Sequence, residues 1–388
     1  MVNPSATLRI PQMKFNNEWR DKSLWTPGPL TTSRTVKEAM LRDFGSRDSG
    51  FVGVIKEIRR RLVEIGGAST SEYTCIPMQG SGTFSLEAVI SSCVPRDGKV
   101  LVVVNGAYGA RMVKICQVLG VAVQELRYAE NELPRADDID AILAKDKAIS
   151  HVSMCHCETT SGIFNPIEEI GAVVRAAGRL FYVDAMSSYG AVPCDLKKCA
   201  IDYLVSSSNK CIEGVPGFAY VIARLEPFQK TQGLARSLVL DLYDQWQSLE
   251  KTSQFRFTPP THAMLAFHQA LLELEAEGGV AARAERYAAN NRRMIEGMTA
   301  MGYKLFLDPK VQGWIISSFH YPQDPAWNFE KFYSGLNDEG YVIYPGKVGS
   351  AECFRLGNIG RLSLRDVEDV LGAVARVSRR MGLLSIKA

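Results

Sequence analysis

The sequence predicts an α/β protein with a large unit built on a mostly parallel β-sheet and a smaller C-terminal α+β unit. Three observations carry this. From about residue 76, short and nearly continuous Val/Ile/Leu runs alternate with helix-length segments, and strands apolar on both faces belong to parallel sheets covered by helices on each side. Beyond about residue 280 the pattern changes to long helices around fewer strands. The chain has 388 residues, 46% of them hydrophobic and 22% charged, which is ordinary globular usage and enough for one large domain plus a smaller one.

In chain order, residues 1–24 read as an irregular N-terminal arm. It contains Asn16, Asn17, Glu18 and Asp21 and lacks the apolar stretch of a secretory signal. Arg9, Lys14 and Arg20 suggest a transit peptide, against which the acidic residues count. Residues 25–279 form the large unit. In "VGVIKEIRRRLVEIGG", Val54, Ile55, Ile58, Leu62 and Ile65 recur at helical spacing, and Arg59-Arg60-Arg61 read as its solvated face. Strands are expected in "KVLVVVNG" (99–106), "VAVQELRY", "AISHVSMCH", "LFYVDAM" (180–186), "DYLVSSS" (202–208) and "GFAYVIAR" (217–224), with helices between several of them. A long helix follows "FTPP" and ends at Gly278-Gly279. Residues 280–388 form the small unit, which the arm is free to join.

A net charge of +3 gives no electrostatic case for nucleic acid or an acidic membrane surface. Nine cysteines, an odd number at irregular spacings, form no disulfide framework and imply a reducing compartment, here the cytoplasm. Cys155 and Cys157 flank His156, but they lie in an apolar strand and no second ligand pair follows at zinc spacing, so no metal is expected. No apolar segment is long enough to span a bilayer.

In a parallel sheet the chemistry lies just beyond the carboxyl ends of the strands. Asp184 follows one such strand and Lys210 another. A lysine amine forms a Schiff base with pyridoxal 5'-phosphate, and a carboxylate at the pyridine nitrogen keeps that ring electron-withdrawing. Both residues are also common at ordinary strand ends. "PMQGSGTFSLEAVIS" adds a phosphate cradle, with Ser81, Gly82 and Thr83 opening a helix, while the lysine of a nucleotide loop and the dinucleotide glycine spacing are both missing. Tyr108, in "NGAYGAR", suits ring stacking or plain turn packing. In "CETTSG", Thr159 or Thr160 is placed to reach the cofactor's phenolic oxygen, or belongs to a plain hydroxyl cluster. Arg355, between Phe354 and Leu356 in "CFRLGNIG", reads as a partly buried cation for an anionic substrate.

The segments "TPGPLTTSRTVKEAM", "QGSGTFSLEA", "NGAYGARM", "VDAMSSYG", "SSNKCIEGVPGFAYVIA", "RFTPPTH", "VIYPGK" and "FRLGNIG" together resemble the 2-aminoethylphosphonate:pyruvate aminotransferases, class V enzymes of the pyridoxal-phosphate fold type I. The likeness runs from about residue 24 to the end. It implies that Lys210 carries the cofactor, Asp184 partners its ring nitrogen, Ser81, Gly82 and Thr83 hold its phosphate, and Tyr108 stacks on its ring. Thr159 and Asn209 complete its surroundings. Thr258 reaches the phosphate in a neighbouring subunit, which implies a homodimer with its sites at the interface. Arg355 and Gly28 are implied at the substrate. The stacking position is often Trp in related alanine–glyoxylate enzymes and is Tyr here. The residues alone leave open an alanine–glyoxylate or serine–pyruvate aminotransferase. A cysteine desulfurase would need Cys353 on a mobile loop rather than in a strand.

Overall fold

A run such as Leu101–Val104 has no polar face to offer water, so it folds where helices cover it on both sides, and each of its side chains is buried. The structure is a computed structural model that describes residues 21–348 and 351–383. Arg9, Lys14 and Arg20 lie outside the described residues. The described strands, in chain order, are β1 (Ser23–Trp25), β2 (Tyr73–Gln79), β3 (Lys99–Val104), β4 (Ala122–Arg127), β5 (Ile149–Cys155), β6 (Cys157–Glu158) and β7 (Ile163–Phe164). They continue with β8 (Leu180–Asp184), β9 (Tyr203–Ser207), β10 (Phe218–Arg224), β11 (Ile316–His320), β12 (Tyr341–Val348) and β13 (Ala351–Gly357).

Seven strands make the large sheet in the order β2-β10-β9-β8-β5-β3-β4. From β9 to β4 every neighbouring pair is parallel. Only β10 runs against both of its neighbours. The chain passes from β3 outward to β4 and then returns to lay β5 on the other side of β3. That reversal opens a crevice beyond the carboxyl ends of β3 and β5, where ligands bind in sheets of this kind.

The helix Ser49–Ile65 packs Phe51, Ile55, Ile58, Leu62 and Val63 into the large core. Its arginine run departs from the expected solvated face. Arg59 donates from Nε to the Cys75 carbonyl (2.7 Å) and from a terminal nitrogen to Thr74 (3.0 Å). Arg61 pairs with Glu57 and Glu275, and only Arg60 of the three is exposed. The long aliphatic stem lets Arg59 bridge to the sheet edge while covering apolar surface.

The small unit is a four-stranded sheet, β1-β12-β13-β11, with the helices Gly279–Met301, Phe329–Asp338 and Leu364–Met381 contributing to its core. A reciprocal Ser363–Asp366 capping box fixes the start of the last helix. Strand β1 pairs in parallel with β12 and spans residue 24, where the arm was expected to end. Its Trp25 is fully buried in the small unit's core. All nine cysteines are free and buried, and among the described residues no helix is long and apolar enough to cross a membrane.

Candidate active site

Ser208 ties the end of β9 to the start of β10, its hydroxyl lying 2.6 Å from the Val215 carbonyl and 2.9 Å from that of Phe218. This closes the turn that carries Lys210. Asn209 accepts a hydrogen bond from the Ser207 hydroxyl at 3.1 Å. The Lys210 Nζ donates to the carbonyls of Pro27 (2.5 Å) and Gly28 (3.4 Å). Gly28 has φ +110°, and a Cβ there would stand 2.7 Å from both Cδ and Nζ of Lys210. Glycine is therefore required on two counts, conformation and space. Burial lowers the Lys210 amine to about 8, and the nearby Asp184 carboxylate opposes that fall.

Asp184 ends β8 almost fully buried. Its carboxylate accepts the Met186 N–H at 2.9 Å, and the Cys155 thiol lies 3.8 Å from its other oxygen. Burial raises it to about 6, with Glu158 adding to the rise and the Arg111 and Lys210 charges opposing it. A carboxylate short of cationic partners in a buried strand end is ready for a protonated ring nitrogen.

The helix Gly82–Cys93 starts with Ser81 at its N-cap, and the Ser81 side chain makes no capping hydrogen bond. A Cβ on Gly82 would overlap the Met186 thioether, so glycine lets the helix start pack against the residue whose N–H bonds Asp184. The uncommitted Ser81 hydroxyl and the first-turn N–H groups suit a phosphate. Thr83 accepts from Arg111 at 3.3 Å, and the Arg111 guanidinium lies 4.7 Å from the centre of the Tyr108 ring. Burial raises the Tyr108 phenol, and the neighbouring Thr159 side chain opposes the rise.

Arg355 reaches this crevice from β13 of the small sheet. Its terminal nitrogens donate to the Thr159 carbonyl (2.8 Å) and the Pro345 carbonyl (3.0 Å), and the guanidinium lies 4.8 Å from the centre of the Tyr344 ring. Its buried Nε has no partner. An arginine 9% exposed, held by carbonyls and an aromatic face, has charge left for an incoming anion. Burial lowers its pKa from the usual value, with Tyr108, Tyr344, Glu158 and Glu130 opposing the fall.

The structure thus gathers Lys210 with Gly28 and Asn209, and Tyr108 with Thr159 and Arg355. Charge coupling joins Asp184 to Lys210. Thr258 is not gathered with them. It is exposed, and its carbonyl accepts from the Gln79 side chain at 3.1 Å, just before the glycine turn. Sequence reading missed Arg111 and Glu158, although both stand in motifs it singled out. A cavity of about 600 Å³ on the small unit, bounded by Tyr303, Lys304, His320 and Glu352, includes none of these residues.

A desolvated lysine and a buried aspartate at neighbouring strand ends, beside an uncapped helix start, fit pyridoxal phosphate and define an enzyme of that cofactor's fold type I. The family model for class-V aminotransferases matches residues 34–323. Relatives named 2-aminoethylphosphonate--pyruvate transaminase include one from Burkholderia thailandensis, 48% identical over 94% of this chain and 98% of its own. Another, from Salmonella paratyphi B, is 49% identical over 92% of this chain and 97% of its own. The solved ureidoglycine–glyoxylate aminotransferase of Bacillus subtilis superposes with a TM-score of 0.87 at 24% identity, covering 95% of this chain and 96% of that one. The alanine–glyoxylate aminotransferase of Nostoc sp. gives 0.85 at 22%, covering 97% and 100%. The chain belongs to the class-V aminotransferase family.

Proposed function

We propose that this aminotransferase moves the amino group of 2-aminoethylphosphonate to pyruvate, giving phosphonoacetaldehyde and L-alanine. The observation that carries the reading is the near-complete mutual coverage, at 48% and 49% identity, of relatives bearing that activity in their names. Arg355, with its uncommitted Nε, supports an anionic donor.

Pyridoxal phosphate supplies an aldehyde that captures an amine and a ring that accepts electrons. The chain supplies the rest. Lys210 would hold the cofactor, and Ser81, Gly82 and Thr83 its phosphate. Tyr108 would cover the ring, with Thr159 and Asn209 beside it. Asp184 would hold a proton on the ring nitrogen. An amine held near 8 is free base in roughly a tenth of molecules at neutral pH. Lys210 Nζ therefore serves as the base that takes a proton from the donor's amine-bearing carbon, and as the acid that returns one. Arg355 grips the phosphonate of the donor and the carboxylate of pyruvate in turn, with the Gly28 backbone close by.

The working unit is a homodimer in a reducing, cytoplasmic setting, with Thr258 reaching the partner's phosphate site. Phe84, in the first turn of the Gly82–Cys93 helix, and Phe257, beside Thr258, support this because both stand exposed on one chain. A desulfurase reading finds no support in Cys353, buried in β13 with its thiol pushed up to about 11 by burial. The test is alanine formation from pyruvate with 2-aminoethylphosphonate, serine or no donor, and glycine formation from glyoxylate with alanine. Turnover fastest with 2-aminoethylphosphonate is expected. Preference for serine or for the alanine–glyoxylate pair would overturn the reading.

A further inference from the structure

Glu158 is fully buried and takes no part in the chemistry above. One of its carboxylate oxygens accepts the N–H groups of Tyr108 and Gly109, each at 3.2 Å. The other accepts the N–H of Thr160 at 3.1 Å and its hydroxyl at 2.6 Å. The Thr160 hydroxyl in turn accepts the Ala107 N–H at 3.0 Å. Every neighbour bonded to the carboxylate is a donor, so the group is matched as an acceptor on both oxygens, the ionised form.

These bonds connect two loops of the large unit, one of which in turn holds Arg355 of the small unit. Tyr108 and Gly109 open the helix Ala107–Val118 beyond β3. Thr160 follows Thr159, whose carbonyl holds Arg355 of β13. We propose that Glu158 is a positioning residue that fixes the Tyr108 ring and the Thr159 carbonyl in one geometry, and so sets where Arg355 presents its guanidinium to an anionic substrate. This rests on the roles assigned to Tyr108 and Arg355 under the proposed function. Packing around the carboxylate is tight, since a Cβ on Gly106 would overlap its carboxyl carbon. It has no room to rotate out of the four bonds.

Glu158→Gln keeps the shape and replaces one acceptor oxygen with a donor, so one pair of N–H or O–H groups loses its acceptor. The holoenzyme variant is read by pyridoxal-phosphate affinity, by visible circular dichroism of the bound cofactor, and by KM and kcat with whichever anionic donor the wild type uses. That choice of donor separates failure here from failure of the phosphonate assignment. Expected are weaker cofactor binding, a changed dichroic band, and a KM for the anionic donor raised roughly 10- to 100-fold, the scale set by small displacements of positioning groups. KM is expected to move more than kcat. A lower melting temperature with cofactor affinity, dichroism and KM all within about twofold of wild type would overturn the proposal. Should Glu158→Gln not fold, the same readings on Gly106→Ala, which displaces the carboxylate with its charge intact, decide it in the same way.

Discussion

Replacing Lys210 by methionine in the cofactor-free chain tests the environment of the amine directly. The folded-state amine lies at about 8 against an ordinary 10.5. A base depressed on folding contributes stability that is fully present above its unfolded value and lost as pH falls through the folded one. At about 1.4 kcal/mol per pH unit, that is roughly 3 kcal/mol. Water reaching the half-buried side chain trims it to about 1–3 kcal/mol. Methionine matches the length and cannot titrate. Wild type should therefore gain on Lys210→Met by that amount between about pH 7 and about pH 10. Urea unfolding of both proteins, followed by circular dichroism at several pH values, supplies the difference. Groups that do not couple to Lys210 cancel in it. A difference that stays flat across this range would refute the desolvated amine, and with it the argument for a base active near neutral pH.

Asp184→Asn is the mirror case. The carboxyl is raised from 3.8 to about 6, so its contribution is present below pH 3.8 and lost as pH rises through 6. Wild type should lose stability relative to Asp184→Asn over that window, and equal pH profiles would contradict it. Arg355→Met should raise KM for both the phosphonate donor and pyruvate by about 10- to 100-fold, the worth of a charge-assisted hydrogen bond, while steady-state kinetics with unchanged KM would remove Arg355 from the substrate site. Gly28→Ala forces a side chain into φ +110° against Lys210, at a cost of about 1–3 kcal/mol; full cofactor loading by absorbance and an unchanged melting temperature would count against that contact. In sedimentation the 42.9 kDa chain should run at about twice its mass, and Thr258→Ala should weaken cofactor binding about tenfold if it loses one charge-assisted phosphate contact; a monomer that binds the cofactor at full strength would rule out the shared site.

Six of the seven strands of the large sheet were legible because runs such as Lys99–Val104 admit only a doubly covered position; β2, Tyr73–Gln79, was not among the runs singled out. Lys210 and Asp184 were legible for a related reason, as charged groups placed where buried strands stop. Glu158 was not, because its neighbours in sequence give no sign that it is enclosed; the donors that enclose it come partly from residues 108 and 109. The arginine run at 59–61 misled for the opposite reason, since its helical spacing looked solvated while the sheet edge carrying Thr74 and Cys75 was supplied from elsewhere. The antiparallel setting of β10 was hidden as well, because a strand buried on both faces reads alike in either direction.

Strand β1 has a mechanical consequence. It is zipped to β12, and the residues that follow, Pro27 and Gly28, are the ones whose carbonyls hold the Lys210 amine. Thr31, a few positions on, bridges to Gly360 beyond β13. The leash between these two anchor points is short. The backbone that holds the Lys210 amine is thus fastened at both ends to the small unit, so a displacement of that body would carry the Pro27 and Gly28 carbonyls with it.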